Sequence, residues 1–450
     1  MNNLSEDQLR EMLEKKKKEN QERMAAEAES MEDMLSETGN AEKLVSLLDG
    51  NARYIKDIEK WAYWGREKWN LNDDGEMIRR FKQVVDILKT ELAKAEAEAK
   101  VCSDEEVQKI IKRRIASIKS WIKTSRGKTT ITNSISLAAA EPGMSIKYNQ
   151  FDKKGHFFGV DNGVVNLKTG GLISGQPEYL MLKSSQISYE QDSECPKWLK
   201  FLDDTMEGNQ DKVDLLQQVA GSALVGNTKE RMFILNGGGS NGKTTFVALL
   251  SHILGIADDD GYKVTVAPEV ITGAGGSSAD YALAKIKGSR LLVLNETGKT
   301  NGRSNVLDDT IVKRLVDSDD GFQARQIRGV PFEFACNATI ALLTNHLPKV
   351  IATDEGIWRR ISLITFNRSF SKDEKIQNLM EGHLKPESAG IMKWCVEGAI
   401  KYFANGEKFD IPQVVESETQ EWRENEDKLG TSYHNMLLRV LKELFFCPSC

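Results

Sequence analysis

Apolar residues in the second half of this chain fall in short unbroken blocks, and the stretches between carry them at intervals of three and four. Met232-Phe233-Ile234-Leu235, Leu291-Leu292-Val293-Leu294 and Thr339-Ile340-Ala341-Leu342-Leu343 are such blocks, and they predict strands buried on both faces of a parallel sheet. Phe246, Leu249, Leu250, Ile253 and Leu254 follow the first block at helical spacing, so a helix packs one apolar side back onto that sheet. Nearer the N-terminus, Ile78, Phe81, Val84, Val85 and Leu88 predict a helix from Met77 to about Lys100. Ser103-Asp104-Glu105-Glu106 has the form of a capping box and opens a second helix through Ile122.

Other stretches break the helical pattern. Tyr54-Ile55, Trp61-Ala62-Tyr63-Trp64, Gly65 and Trp69 read as a small aromatic hairpin, a mini-core in preference to a platform for stacking bases. After Pro142-Gly143, Phe157-Phe158, Val164–Leu167 and Gly170–Ile173 alternate with Asp161-Asn162-Gly163 and Lys168-Thr169, the pattern of β-hairpins. Helices over Trp198–Met206 and Lys212–Val225 then lead into the first apolar block. Phe322 to Arg328 and Pro331 to Phe334, on either side of Gly329, predict two more strands.

These changes of period divide the chain into five parts. A polar arm, helical or disordered, covers 1–50; an α-rich accessory domain with the aromatic hairpin, 51–140; and a small collar of β-hairpins and helices, 141–225. An α/β core with a parallel sheet covers 226–370 and a C-terminal helical region 371–450. With 450 residues and 40% hydrophobic content, several buried cores can form. No apolar run approaches a membrane span, and the start MNNLSEDQLREMLEKKKKEN is not a signal peptide, so a cytoplasmic protein with no membrane partner is expected. The net charge of −6 excludes a surface that is basic all over. Contact with nucleic acid must then come from a local patch or from a channel built by several copies. Lys15 to Lys18 sit among Glu11, Glu14 and Glu19, an exposed face of mixed charge. The six cysteines are scattered, as reduced thiols are; Cys447 and Cys450 have metal-ligand spacing but no second pair nearby, so they read as a frayed tail.

The chemistry lies behind the first block. Gly237-Gly238-Gly239-Ser240-Asn241-Gly242-Lys243-Thr244 fits G-x-x-x-x-G-K-[ST] without a mismatch, between a strand and a helix. Glycines let backbone N–H groups converge on an anion, and the helix adds its positive end. Lys243 is positioned for the β- and γ-phosphates of ATP and the Thr244 hydroxyl for Mg²⁺, with Thr245 completing the nucleotide-binding stretch. Arg126-Gly127-Lys128-Thr129 also contains G-K-T, but Ile122 stands where the first glycine should be, so it reads as a solvated turn. The second block ends in Asn295-Glu296, and Glu296 is a candidate for polarising the attacking water. The third ends in Thr344-Asn345, where Asn345 could bond the γ-phosphate or that water, or could simply be a turn residue before Pro348.

Five ordered segments, GGGSNGKTTF, LLVLNETGK, VKRLVDSDDGFQARQIRGVPFEF, ALLTNHLPKV and DEGIWRRISLITF, resemble superfamily 3 helicases. The likeness is strongest to the helicase part of phage and plasmid primase–helicases, the group related to the poxvirus nucleoside triphosphatase. It extends over roughly residues 150 to 430, because VDNGVVNLKTG and GIMKWCVEGAIKYF also resemble that family. The resemblance implies a P-loop AAA+-like ATPase core and a homo-oligomer, a hexameric ring, that hydrolyses ATP and moves along single-stranded or forked DNA. It implies that Lys243 and Thr244 bind phosphate and Mg²⁺, that Glu296 acts on the water and that Asn345 is the sensor. Arg359 and Arg360 fall where the family carries an arginine finger, one of them the finger and the other a structural ion-pair partner. Arg325 and Arg328 would lie on a DNA-binding hairpin in the channel, and Lys313 matches a family lysine that, read by itself, is a helix-surface charge.

Two departures qualify the likeness. Asn295 stands where many P-loop enzymes place a metal-binding Asp, so Mg²⁺ would rest mainly on Thr244, the phosphates and water. The first 150 residues show no Asp-x-Asp strand with a partner His; primer synthesis is not expected, and a separate primase or replication initiator becomes a candidate partner. Two other functions fit the same motifs: a nucleotide-stabilised DNA-binding or scaffold subunit of a replication complex, and a P-loop ATPase that remodels protein.

Overall fold

The structure, a computed structural model, describes residues 15, 33–71, 75–226, 231–256, 261–267, 270–271, 283–295, 306–317, 321–325, 331–350 and 355–426. The chain forms two units, Met1–Gly65 with Trp69–Phe151, and Arg66–Lys68 with Asp152–Cys450. Among the described residues no helix is long and apolar enough to cross a membrane.

The first unit joins helices α1 (Glu37–Leu48), α2 (Glu76–Val101), α3 (Glu105–Thr124) and α4 (Lys128–Ala140) to a four-stranded sheet. That sheet consists of β1 (Ala52–Ile55), β2 (Lys60–Trp64), β3 (Trp69–Leu71) and β4 (Ser145–Ile146), in the order β3-β2-β1-β4. The aromatic hairpin is thus part of a larger sheet, and its rings are core: Trp61 and Trp69 are buried, with Tyr54 against Trp61 at 5.4 Å and Trp64 against Trp69 at 5.8 Å. On α2 the apolar stripe is Met77, Phe81, Val84, Val85 and Leu88, whereas Ile78 faces solvent, one position off the expected stripe. The cap of α3 is Asp104, not Ser103: its carboxylate accepts from the N–H groups of Glu106 and Val107. Helix α4 was not expected, because KTTITNSISLAAA is rich in β-branched residues and serines that disfavour an isolated helix; burial of Thr130, Ser134, Ala138 and Ala139 supplies what propensity lacks. Asn40, fully buried on α1, donates to Ser125 Oγ at 3.0 Å and accepts from Trp121 Nε1 at 3.1 Å, which ties α1 to the end of α3.

The second unit opens with the antiparallel sheet β5 (Phe157–Val160), β6 (Gly163–Asn166) and β7 (Gly171–Ile173), followed by α5 (Pro196–Thr205) and α6 (Gln210–Val225). A five-stranded parallel sheet follows. Its strands are β8 (Met232–Asn236), β9 (Lys263–Val266), β10 (Leu291–Asn295), β13 (Thr339–Thr344) and β14 (Ile361–Thr365), ordered β14-β8-β13-β10-β9. Alternate residues feed two cores: Phe233, Leu235, Leu291 and Val293 face one, and Met232, Ile234, Leu292 and Leu294 the other. Helix α7 (Lys243–Leu254) covers the first face with Phe246, Leu249, Leu250 and Ile253. It is held by Trp198 of α5, which stacks on Phe246 at 5.8 Å and meets Trp394 edge-on at 5.5 Å. The second face carries α8 (Asp309–Val316), the strand pair β11 (Phe322–Arg325) and β12 (Pro331–Phe334), and the short α9 (Glu355–Trp358). Helix α10 (Ser388–Ala404) packs along α6. Strands β9 and β14 had no separate expectation, since KVTV and ISLIT are too short and too polar to stand out as apolar blocks.

A helix over residues 413–426 closes the outer edge of the parallel sheet. Among the described residues strand β14 has no strand beyond it, and side chains of this helix take its outward donors: Leu363 N–H bonds Thr419 Oγ1 at 3.0 Å and Thr365 N–H bonds Glu418 Oε2 at 3.4 Å. Glu418 also meets the buried Lys212 ammonium of α6 at 2.6 Å, with Thr365 Oγ1 bonding both. Removing one member of a buried pair strands the other charge, at a cost of about 3–5 kcal/mol. Glu418→Ala should therefore lower the thermal midpoint by about 10 °C, read by circular dichroism. A double variant Glu418→Leu/Lys212→Met should recover most of the loss.

Candidate nucleotide-binding site

Strand β8 ends at Asn236, and the chain turns through Gly237–Gly242 into α7 at the carboxyl edge of the sheet, beside β13. Ligands of open α/β sheets occupy this edge, where neighbouring connections diverge. The turn is built for bare backbone. A Cβ on Gly237 would lie within 2.5 Å of Phe366 O, and Gly242 (φ 88°) carries a left-handed backbone against Thr205 of α5. Asn241, buried, donates to Phe366 O at 3.3 Å, Phe366 N–H bonds Asn236 O at 2.8 Å, and Phe370 N–H bonds Ser240 O at 2.8 Å. The segment after β14 thus braces the loop from behind. Gly238 faces open space and Thr244 is exposed.

Lys243 is only 4% exposed, and its ammonium touches three neutral oxygens: Gly237 O at 2.5 Å, Asn241 Oδ1 at 3.1 Å and Asn345 Oδ1 at 3.3 Å. Among the described residues, no carboxylate stands among its partners. Burial pushes its pKa below the usual lysine value, because desolvation disfavours the charged form. A buried cation with no counter-charge among the described residues, at the mouth of a glycine turn, has the chemistry of a phosphate site.

Asn345 comes to this site because β13 is the direct neighbour of β8, with Thr344 opposite Asn236. Asn295, exposed, ends β10 one strand further on, opposite Leu343. It therefore sits two strand spacings, about 10 Å, from the loop strand. Glu296, the candidate for acting on water, lies outside the described residues, as do Arg328, Cys447 and Cys450. Arg325 ends β11, which pairs antiparallel with β12 from Phe322↔Phe334 to Arg325↔Pro331.

The two arginines part company. Arg360 is half-buried, bonds Asp317 through Nη2 at 2.7 Å and Nε at 3.3 Å, and donates from Nη1 to Gly356 O at 2.6 Å. A guanidinium held on three sides is a structural tie. Arg359 is exposed and has no side-chain partner among the described residues. Both precede β14, and Arg360 O accepts Met232 N–H at 2.7 Å, so they stand at the amino edge of the sheet. Six strand steps separate that level from Gly237, about 20 Å. Lys313 of α8, paired with Asp309 at 3.1 Å, joins Glu355, Gly356, Arg359 and Arg360 around a pocket of about 390 Å³ that no residue of the loop lines. Lys313 is thus grouped with the arginines. The brace from Phe366 and the tie through Asp317 escaped the sequence: both residues stand inside motif segments, but spacing along the chain does not show which distant backbone or guanidinium each will meet.

Residues 41–207 match the family model described as D5 N terminal like. Viral proteins extend the likeness. A protein of Acanthamoeba polyphaga mimivirus named "Putative helicase" is 26% identical over 310 residues, covering 64% of this chain and 31% of that protein. A protein of African swine fever virus named "Putative primase" is 26% identical over 298 residues, covering 62% of this chain and 30% of its own length. The chain spans about a third of the length of these relatives. A solved structure titled as the A form apo structure of the NrS-1 C terminal region aligns with 53% of this chain and 55% of that one, at 12% identity and a TM-score of 0.39.

Proposed function

We propose that this chain is an ATP-driven, ring-forming DNA helicase, a superfamily 3 motor serving replication of a phage or other mobile element. One observation carries the reading. The glycine turn, Lys243 and Asn345 lie at one edge of the sheet, and Arg359, unpaired among the described residues, lies about 20 Å away at the other. No single side chain spans that distance, so Arg359 can meet nucleotide only on a neighbouring copy. A head-to-tail contact of this kind closes into a ring when its rotation closes, as the proposed motor requires. The viral relatives named as helicase and primase support the same direction.

In this reading the amides of Gly237–Gly242 and the Lys243 ammonium hold the β- and γ-phosphates of ATP. Thr244 supplies a hydroxyl to Mg²⁺, with Asn295 and Glu296 on the side of the water; the ion, when bound, neutralises phosphate charge. Glu296 polarises the attacking water and Asn345 holds it or the γ-phosphate in line. The neighbour's Arg359 stabilises the charge on the phosphoryl group in transfer, which makes turnover depend on assembly. Arg325 and Arg328 on the β11–β12 hairpin hold the DNA backbone, a contact without sequence preference. The test is ATP turnover per chain against protein concentration, with and without single-stranded DNA. Turnover should rise with concentration and rise further with DNA. A rate per chain that stays constant on dilution to monomer, or a rate indifferent to DNA, overturns the reading.

A further inference from the structure

The first unit carries a charge asymmetry that the nucleotide site does not use. From Val107 to Ala140 the chain has eight Lys or Arg and no Asp or Glu, within a protein of net charge −6. On α3, Lys112, Lys119 and Lys123 fall within about 40° of arc, with Lys109 and Arg113 flanking them. All five are exposed, and so are Arg126 and Lys128 at the junction with α4. Carboxylates face part of this row. Glu106 meets Lys109 at 2.8 Å, Glu96 of α2 meets Lys119 at 2.7 Å, and Glu98 meets Arg114 at 3.5 Å. Lys112, Arg113, Lys123, Arg126 and Lys128 have no carboxylate partner among the described residues.

We propose that this face of α3, continued through Arg126 and Lys128, is a docking surface for the phosphate backbone of duplex DNA. Lys112 and Lys123 stand about 16 Å apart on a rigid helix, and a duplex offers phosphates at fixed spacing and high charge density along such a line. Two features select a duplex over other polyanions. Sites for single strands add aromatic rings on which bases stack, whereas Trp121 of α3 is turned inward to Asn40 and no other ring lies on this helix. Protein interfaces centre on apolar anchors, whereas Ala116 and Ser120 occupy the middle of the row, and Ile110, the exposed apolar residue of α3, lies on the far side of the helix.

The surface is independent of the nucleotide site, so it can fail while the proposed motor stands. The experiment measures binding of a fluorescein-labelled, blunt-ended 30-base-pair duplex to the full chain by anisotropy, without nucleotide, across a salt series. The variant Lys112→Ala/Arg113→Ala/Lys123→Ala/Arg126→Ala should raise Kd at least about tenfold and flatten the slope of log K against log salt by about 3. Lys112→Arg/Lys123→Arg should bind like the parent, which separates charge from fold. An unchanged Kd and slope in the quadruple variant, no binding of the duplex by the parent, tighter binding of an oligo-dT of equal charge, or equal competition by poly-glutamate each overturns the proposal.

Discussion

Lys243→Ala should bring ATP turnover down at least about 1,000-fold, some 4 kcal/mol of lost transition-state stabilisation, while leaving the free protein no less stable than its parent. The two halves of this expectation have one cause. In the free protein the Lys243 ammonium is buried among three neutral oxygens with no carboxylate partner among the described residues, and burial holds its pKa down. Such a charge destabilises the fold that contains it, and its removal relieves that cost. In the proposed function phosphate is the partner that Lys243 meets: hydrogen bonds to charged groups are worth about 1.5–3 kcal/mol each, and here they would form where water is largely excluded. A thermal melt and an ATPase assay on the same preparation check both halves. A melt that falls by several degrees with activity intact would mark Lys243 as a packing residue and remove the nucleotide from this site.

Much of this arrangement could be read along the chain, and the parts that could not have physical reasons. Strands β8, β10 and β13 declare themselves because a strand covered on both faces needs an unbroken apolar block, as in Met232-Phe233-Ile234-Leu235. The glycine turn is equally plain, since chemistry and backbone geometry constrain the same eight residues. Strand β14 shows less because it lies at an edge, where Ser362 and Thr365 are tolerated and a helix finishes the hydrogen bonding. Arg290 was invisible for a different reason. It is 3% exposed, donates to Phe157 O at 2.9 Å and also to Leu224 O, and lies over the Tyr262 ring at 4.5 Å. It joins β5, α6 and β10, a role set by residues more than sixty positions away. A periodicity sees neighbours in sequence; it cannot see which distant carbonyls will need a donor.

Arg359 and Arg360, adjacent in sequence and identical in chemistry, should give opposite phenotypes. Arg360→Ala strands Asp317 and removes one donor from Gly356 O, so its main effect is a loss of about 3 kcal/mol in stability. Arg359→Ala removes no side-chain bond among the described residues, so the melt should not move, yet kcat should fall about 1,000-fold or more, the range for an arginine supplied in trans. The loss should sit in kcat, because the guanidinium acts on charge that develops in the transition state. Mixing decides whether the arginine acts within a chain or between chains. A seam formed by an Arg359→Ala copy that contributes its Lys243 and a Lys243→Ala copy that contributes its Arg359 has every group in place. An equal mixture of the two inactive proteins should therefore recover about a quarter of parental turnover in a head-to-tail ring. If each site were complete within one chain, every copy would still lack one group and the mixture would stay inactive. The 20 Å between the two edges of the sheet makes that second outcome the one this structure argues against.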